Sequence, residues 1–222
     1  MTTVVGAGLA SGCGTDDDAR ARIADRRERQ ARDAAAEAGL APEVQALLGT
    51  AARAVDARFS ATFTSGDERV VVHQLPPRRR VDVFVGGIAR EAYVEDGGRS
   101  WRCERPVGDE WSCSERASEE APPTPALGAF SPELVARTVE ALEDGAAAYD
   151  LDVHDLRVAG TATRCLRATP RAAPGDVSES RLCVAADGVP LLLDLGQGST
   201  ALRAIAYRPA ADPRDVERPD GR

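Results

Sequence analysis

Phe59-Ser60-Ala61-Thr62-Phe63-Thr64, a Ser65-Gly66-Asp67 turn, then Val70-Val71-Val72-His73-Gln74: this stretch decides the fold class. Phe59, Ala61 and Phe63 alternate with Ser60, Thr62 and Thr64, a repeat of two that gives a strand one apolar and one polar face. Downstream the same rhythm continues. Pro76-Pro77 closes the second run, and Val81, Val83 and Val85 alternate up to Gly86-Gly87. Ile88 to Val94 reads as a fourth strand. Asp96-Gly97-Gly98 turns into Ser100-Trp101-Arg102-Cys103, and Glu110-Trp111-Ser112-Cys113 returns. Strands at this spacing, joined by Gly-bearing turns, predict an antiparallel meander.

Upstream the period changes. Val44, Leu47, Leu48, Ala51 and Val55 recur at helical spacing, which predicts an amphipathic helix over about 43–57. Beyond the meander, 116–128 is Pro-rich and acidic and reads as a long loop. Ser131-Pro132-Glu133 then opens a helix: a capping hydroxyl, proline at the first helical position, an acid in the first turn. Its apolar face is Leu134, Val135, Thr138, Val139 and Leu142. The last third returns to strands: 155–160 into 162–168, 181–185 and 189–195 around Asp187-Gly188, and 201–207.

The ends read differently. Residues 14–42 carry six arginines from Arg20 to Arg32, interleaved with acids and alanines. They predict a solvated helix or a stalk, whose arginines would attract anionic headgroups at short range. Residues 209–222 are charged and Pro-bearing and predict a disordered tail. At 222 residues, the remaining 43–208 is long enough for one domain with its own core. A net charge of −8 argues against nucleic acid as a partner. Lysine is absent, so nearly all positive charge is arginine.

Five cysteines remain to be assigned. Cys103 and Cys113 flank the Val107-Gly108-Asp109 turn, and Cys165 and Cys183 flank the 170–175 loop. Each couple is placed to bridge neighbouring strands, although four cysteines allow three connectivities. Such bridges belong to an oxidising compartment. A zinc site would need a closely spaced cysteine pair, which the sequence lacks, so neither metal nor cofactor is expected. His73 and His154 have no nucleophile motif beside them, and no enzyme activity is expected. Gly196-x-Gly198-x-x-Ala201 follows an apolar strand but has no helix after it, so it reads as a turn rather than a phosphate loop.

The fifth cysteine, Cys13, follows small residues in Leu9-Ala10-Ser11-Gly12. This resembles the lipobox of bacterial lipoproteins, where the cysteine carries a lipid anchor. Residues 1–13 would then be a truncated signal, with the true start upstream. The alternative is a Gly/Ala-rich tail with a chance cysteine. Further motifs point the same way. Phe59–Thr64 after an amphipathic helix, Pro77-Arg78-Arg79-Arg80-Val81-Asp82 before a strand, and Val94-Glu95-Asp96-Gly97-Gly98-Arg99-Ser100-Trp101 follow in order. This order resembles the periplasmic lipoprotein-carrier fold (LolA-like) and, with the lipobox and the late helix, the related LppX- and LprG-like lipoproteins.

The resemblance implies an α+β fold, with a strongly curved antiparallel sheet left unclosed as a half-barrel and helices on its concave side. It implies an envelope protein carrying lipid or acyl chains, with no bond-making step. Val81, Val83, Val85, Leu191, Leu193 and Leu195 would line the apolar cleft. Leu134, Val135 and Val139 of the later helix would cover it. If the cleft is instead filled by side chains, an envelope sensor or protein-interaction module is the alternative.

Overall fold

The structure is a computed structural model describing residues 16–65, 68–106, 108, 110–116, 133–145, 148–171, 179–194, 196 and 202–221. Two helices open it, α1 (Asp16–Glu37) and α2 (Pro42–Ala51), the second running on as a 3-10 turn, Ala52–Asp56. Six strands follow: β1 (Phe59–Ser65), β2 (Glu68–Leu75), β3 (Arg78–Val85), β4 (Ile88–Asp96), β5 (Arg99–Glu104) and β6 (Ser112–Glu115). After α3 (Glu133–Gly145) come β7 (Tyr149–Val158), β8 (Thr161–Pro170), β9 (Ser180–Val184), β10 (Pro190–Asp194) and β11 (Leu202–Arg208).

All eleven strands join one antiparallel sheet, in the order β6-β5-β4-β3-β2-β1-β11-β10-β9-β8-β7. β6 and β7 are the free edges, so the sheet is not closed. It is the antiparallel meander that the strand rhythm predicts and the α+β, unclosed half-barrel class that the resemblance implies. Two meanders, β1–β6 and β7–β11, meet at the β1–β11 pair, where Phe63 stands opposite Ala204.

Register shows what each face does. On one face Val153, Leu166, Leu182, Leu193 and Leu202 lie side by side across β7 to β11. Phe63, Val70 and Val83 continue that face through β1 to β3. The helices pack on it. Ala31 and Ala35 of α1, Val44, Leu47 and Leu48 of α2, and Val135, Val139 and Leu142 of α3 form one core with Leu166, Leu182 and Val184. A second core joins Phe59, Phe63, Val70, Val72, Val81 and Leu191. Between the two, the buried Gln74 amide donates to the carbonyls of Ala54, Val55 and Ala57 at 2.6, 3.2 and 2.9 Å. One side chain thus shares its two N–H groups among three carbonyls at the end of the 3-10 turn and ties it to β2.

Two expectations for the chain ends are corrected. The 14–42 segment is not a stalk standing clear of the domain. From Asp16 it is a helix with Ala24, Ala31 and Ala35 buried, packed along α2 and the 3-10 turn. Those alanines bury little area each, but they let the helix backbone lie close to its neighbour. Their stripe is hard to see in a sequence where alanine is everywhere. Nor is 209–222 a disordered tail. Asp212 caps a short 3-10 turn, Pro213–Val216, with its side chain accepting from the Arg214 amide. Val216 is buried. This segment straps the face opposite the helices: the Arg80 guanidinium donates to the Glu217 carbonyl at 2.8 Å, and the Arg218 guanidinium lies 5.2 Å from the Trp101 ring centroid.

Candidate functional site

Both cysteine couples are bridged. Cys103 and Cys113 are directly opposed on β5 and β6, and Cys165 and Cys183 on β8 and β9. Cys103, Cys165 and Cys183 are fully buried. Cys13 lies outside the described residues. Among the described residues, no helix is long and apolar enough to cross a membrane, and no three His, Cys, Asp or Glu side chains cluster as a metal site.

The residues expected to line a cleft separate into different environments. Val81 and Leu191 are 0% exposed and Val83 6%, packed among Phe59, Phe63, Val70 and Val72. This part of the face is filled by side chains. Val85 stands 54% exposed at the end of β3, beside the Gly86-Gly87 turn. Leu193 is half-buried and touches both cores. Leu195 lies outside the described residues, as do the Ser131-Pro132 cap and the 117–132 loop. Val135 and Val139 are buried and Leu134 half-buried, but α3 packs with α1 and α2 over β8 and β9 rather than over Val81 and Val83.

Open space lies instead along α1, in two adjoining cavities. The first, of about 400 Å³, is bounded by Arg20, Arg27, Asp56, Gln74, Arg78, Arg79 and Glu95, with the Pro76-Pro77 turn at its mouth. The second, of about 370 Å³, lies between α1, the 3-10 turn and α3. Its walls include Ala31, Ala34, Ala51, Leu134, Val135 and Val139. Arg27 and Val55 belong to both. Both volumes fall within the usual range for small-molecule sites.

Charge is arranged unevenly in the first cavity. Arg79 donates to Glu95 through Nε at 3.0 Å and Nη2 at 2.7 Å, so that pair is matched. Arg27 and Asp56 form a looser ion pair, with Arg27 Nη1 and Asp56 Oδ2 3.7 Å apart. Both atoms are shut off from solvent without a hydrogen-bond partner among the described residues. Burial pushes the Asp56 carboxyl above the usual range, with Arg27 pulling it back down. Sequence reasoning noticed the arginine run of 20–32 but not that Arg20, Arg27 and Ala34, seven residues apart, share one helix face.

A Ser, a His and an Asp also converge, on the opposite face. Ser60 Oγ lies 2.9 Å from His73 Nδ1, and Asp215 Oδ2 of the strap 3.6 Å from the same nitrogen. A hydrolytic triad uses two ring nitrogens, one for the nucleophile and one for the acid. Here both contacts meet Nδ1, and Ser60 is buried. The constellation therefore fastens the strap. His154 sits apart on β7, with Asp152 3.2 Å from its Nδ1.

Burial holds the His73 imidazole below its ordinary range; Asp215 and Asp82 pull it up, while Arg80 and Arg208 push it further down. The folded state thus keeps the ring neutral where the unfolded chain, titrating near 6.5, takes a proton. Stability from this group is full above that pH and is lost as pH falls through it toward the lower folded value. Melting temperatures of the wild type and His73→Gln at pH 7.5 and 5.5 check this. The wild type is expected to lose more stability on acidification than the variant.

No family model matches the chain, and no curated protein matches it. Among solved structures it is similar to MucB, described as the crystal structure of MucB, with a TM-score of 0.45 and 18% identity. The match covers 78% of this chain and 61% of that one, so the chain spans less than two thirds of MucB.

Proposed function

We propose that this is an exported, cell-envelope protein that shelters an acyl chain, tethered through a lipid on Cys13. One observation carries the reading: the apolar cavity between α1, the 3-10 turn and α3. Ala31, Ala34 and Ala51 leave it open because methyl side chains cannot fill the space between these backbones, while Leu134, Val135 and Val139 make its wall greasy. Export is supported by the two bridges, which persist in oxidising compartments. No bond-making chemistry is assigned, since the binding of an aliphatic chain needs only burial of apolar area.

A second reading, an envelope sensor or protein-interaction module, is favoured by the packed state of Val81, Val83 and Leu191 among the core aromatics. Native mass spectrometry of the full chain, expressed with export to the periplasm, separates the two. Bound acyl species are expected, and Ala34→Phe, which fills the cavity from an exposed helix position, is expected to remove them. A protein that emerges without lipid, and stays so when offered lipid extract, rejects the carrier reading in favour of the interaction module.

A further inference from the structure

The arginine-lined cavity beside the apolar one points to the chemical class of the ligand. Arg20, Arg27 and Ala34 lie on one stripe of α1, spanning about 21 Å at the rise of an α-helix. The two cavities follow each other along this stripe and share Arg27 and Val55. One end is polar and the other aliphatic. We propose that they form one furrow for a single-chain anionic amphiphile, with its head among the arginines and its tail under α3. This inference rests on the acyl-binding reading given above and adds the head.

Three observations specify that head. The first cavity holds four arginines against two acids, Asp56 and Glu95, in a chain whose net charge is −8. A local excess of positive charge in an acidic protein selects an anion. Second, Glu95 is already matched to Arg79, whereas Arg78 opens β3, on a separate element from Arg27. Two guanidinium groups from different elements suit a phosphate, which offers several acceptor oxygens at once. Third, Arg27 and Asp56 form a loose ion pair, Nη1 to Oδ2 at 3.7 Å, and neither of these atoms makes a hydrogen bond among the described residues. The rest of the Arg27 guanidinium and of the Asp56 carboxylate suits an anionic oxygen beside a hydroxyl. A phosphate ester carrying a free hydroxyl has both, and one acyl chain on it would reach the apolar cavity past Val55.

Isothermal titration of the full chain tests this with three ligands: lysophosphatidylglycerol, monoacylglycerol of the same chain length, and glycerol 3-phosphate. The phosphate-bearing acyl ligand is expected to bind about tenfold or more tighter than monoacylglycerol, from a charge-assisted contact. Glycerol 3-phosphate is expected to bind more weakly than either. Arg78→Gln, at a residue that lines only the first cavity, is expected to shrink the preference for phosphate by about tenfold while leaving monoacylglycerol unchanged. Ala34→Phe is expected to weaken both acyl ligands alike. The readout is a ratio, so a variant that merely misfolds, losing both ligands, cannot mimic the arginine result. Equal affinity for the two acyl ligands, or a ratio untouched by Arg78→Gln, overturns the head site and leaves the acyl reading standing. Glycerol 3-phosphate binding as tightly as the lysolipid overturns the amphiphile, because the arginines would then serve a free phosphate. If neither acyl ligand binds, the acyl reading falls as well.

Discussion

Replacing Gly188 with alanine is expected to destabilise the fold by about 2–5 kcal/mol, from backbone strain and overpacking together. Gly188 sits in the turn between β9 and β10 with φ +89°, in the left-handed region that a β-carbon disfavours. That carbon would also stand 2.1 Å from the Thr50 carbonyl oxygen and 3.1 Å from the Ala54 amide nitrogen. Both are backbone atoms at the join of α2 and the 3-10 turn, so no rotamer change relieves the contact. Asp187 fixes the turn from its other side, accepting from the Tyr207 hydroxyl. Thermal denaturation checks the result, with a fall in Tm of about 4–20 °C expected for a chain of this size. A variant that melts with the wild type would mean that the turn does not approach the helical layer this closely.

The second large effect is expected from Phe63→Ala, at about 3–5 kcal/mol. Phe63 is 0% exposed. It stands between Val70 of β2 and Ala204 of β11, at the junction of the two meanders. Deleting the ring removes its buried area and leaves a hole bordered by strands that already pair with others and cannot close in. Denaturant unfolding measures it as a lower midpoint with the slope unchanged. Phe84 is a useful control. It stacks under the Arg69 guanidinium at 4.2 Å and is only partly buried, so its truncation is expected to cost less.

Much of the sheet was legible because its signals are local. The alternation of Phe59, Ala61 and Phe63, the Gly86-Gly87 and Asp187-Gly188 turns, and the placing of each cysteine couple about a loop all act within some twenty residues. The β1–β11 pairing is different. It joins residues such as Phe63 and Ala204, far apart in the chain, and no short motif announces it. The candidate site was legible only in part. Alternating valines and leucines mark a buried face without saying what buries it. Val81 and Leu191 proved to be core, while Val85 points out to solvent. Alanines and arginines of α1 form one wall of both cavities, and a helix rich in both carries little amphipathic contrast. The strap was missed for a similar reason: its apolar anchor is the single residue Val216, set among prolines and charges.

The two ends of the chain cross over the seam in opposite directions. α2, with α1 packed along it, covers β8 and β9 of the second meander, and the segment around Val216 covers β2 and β3 of the first. Each half of the sheet is therefore clasped by a piece of chain attached to the other. Neither meander can open without first dragging off a cover that its partner owns. The bridges do not cross the seam, since each joins neighbouring strands within one meander. The reciprocal embrace thus adds to the β1–β11 pairing and to the core that Phe59 and Phe63 share with Leu191 and Leu202 in holding the halves together.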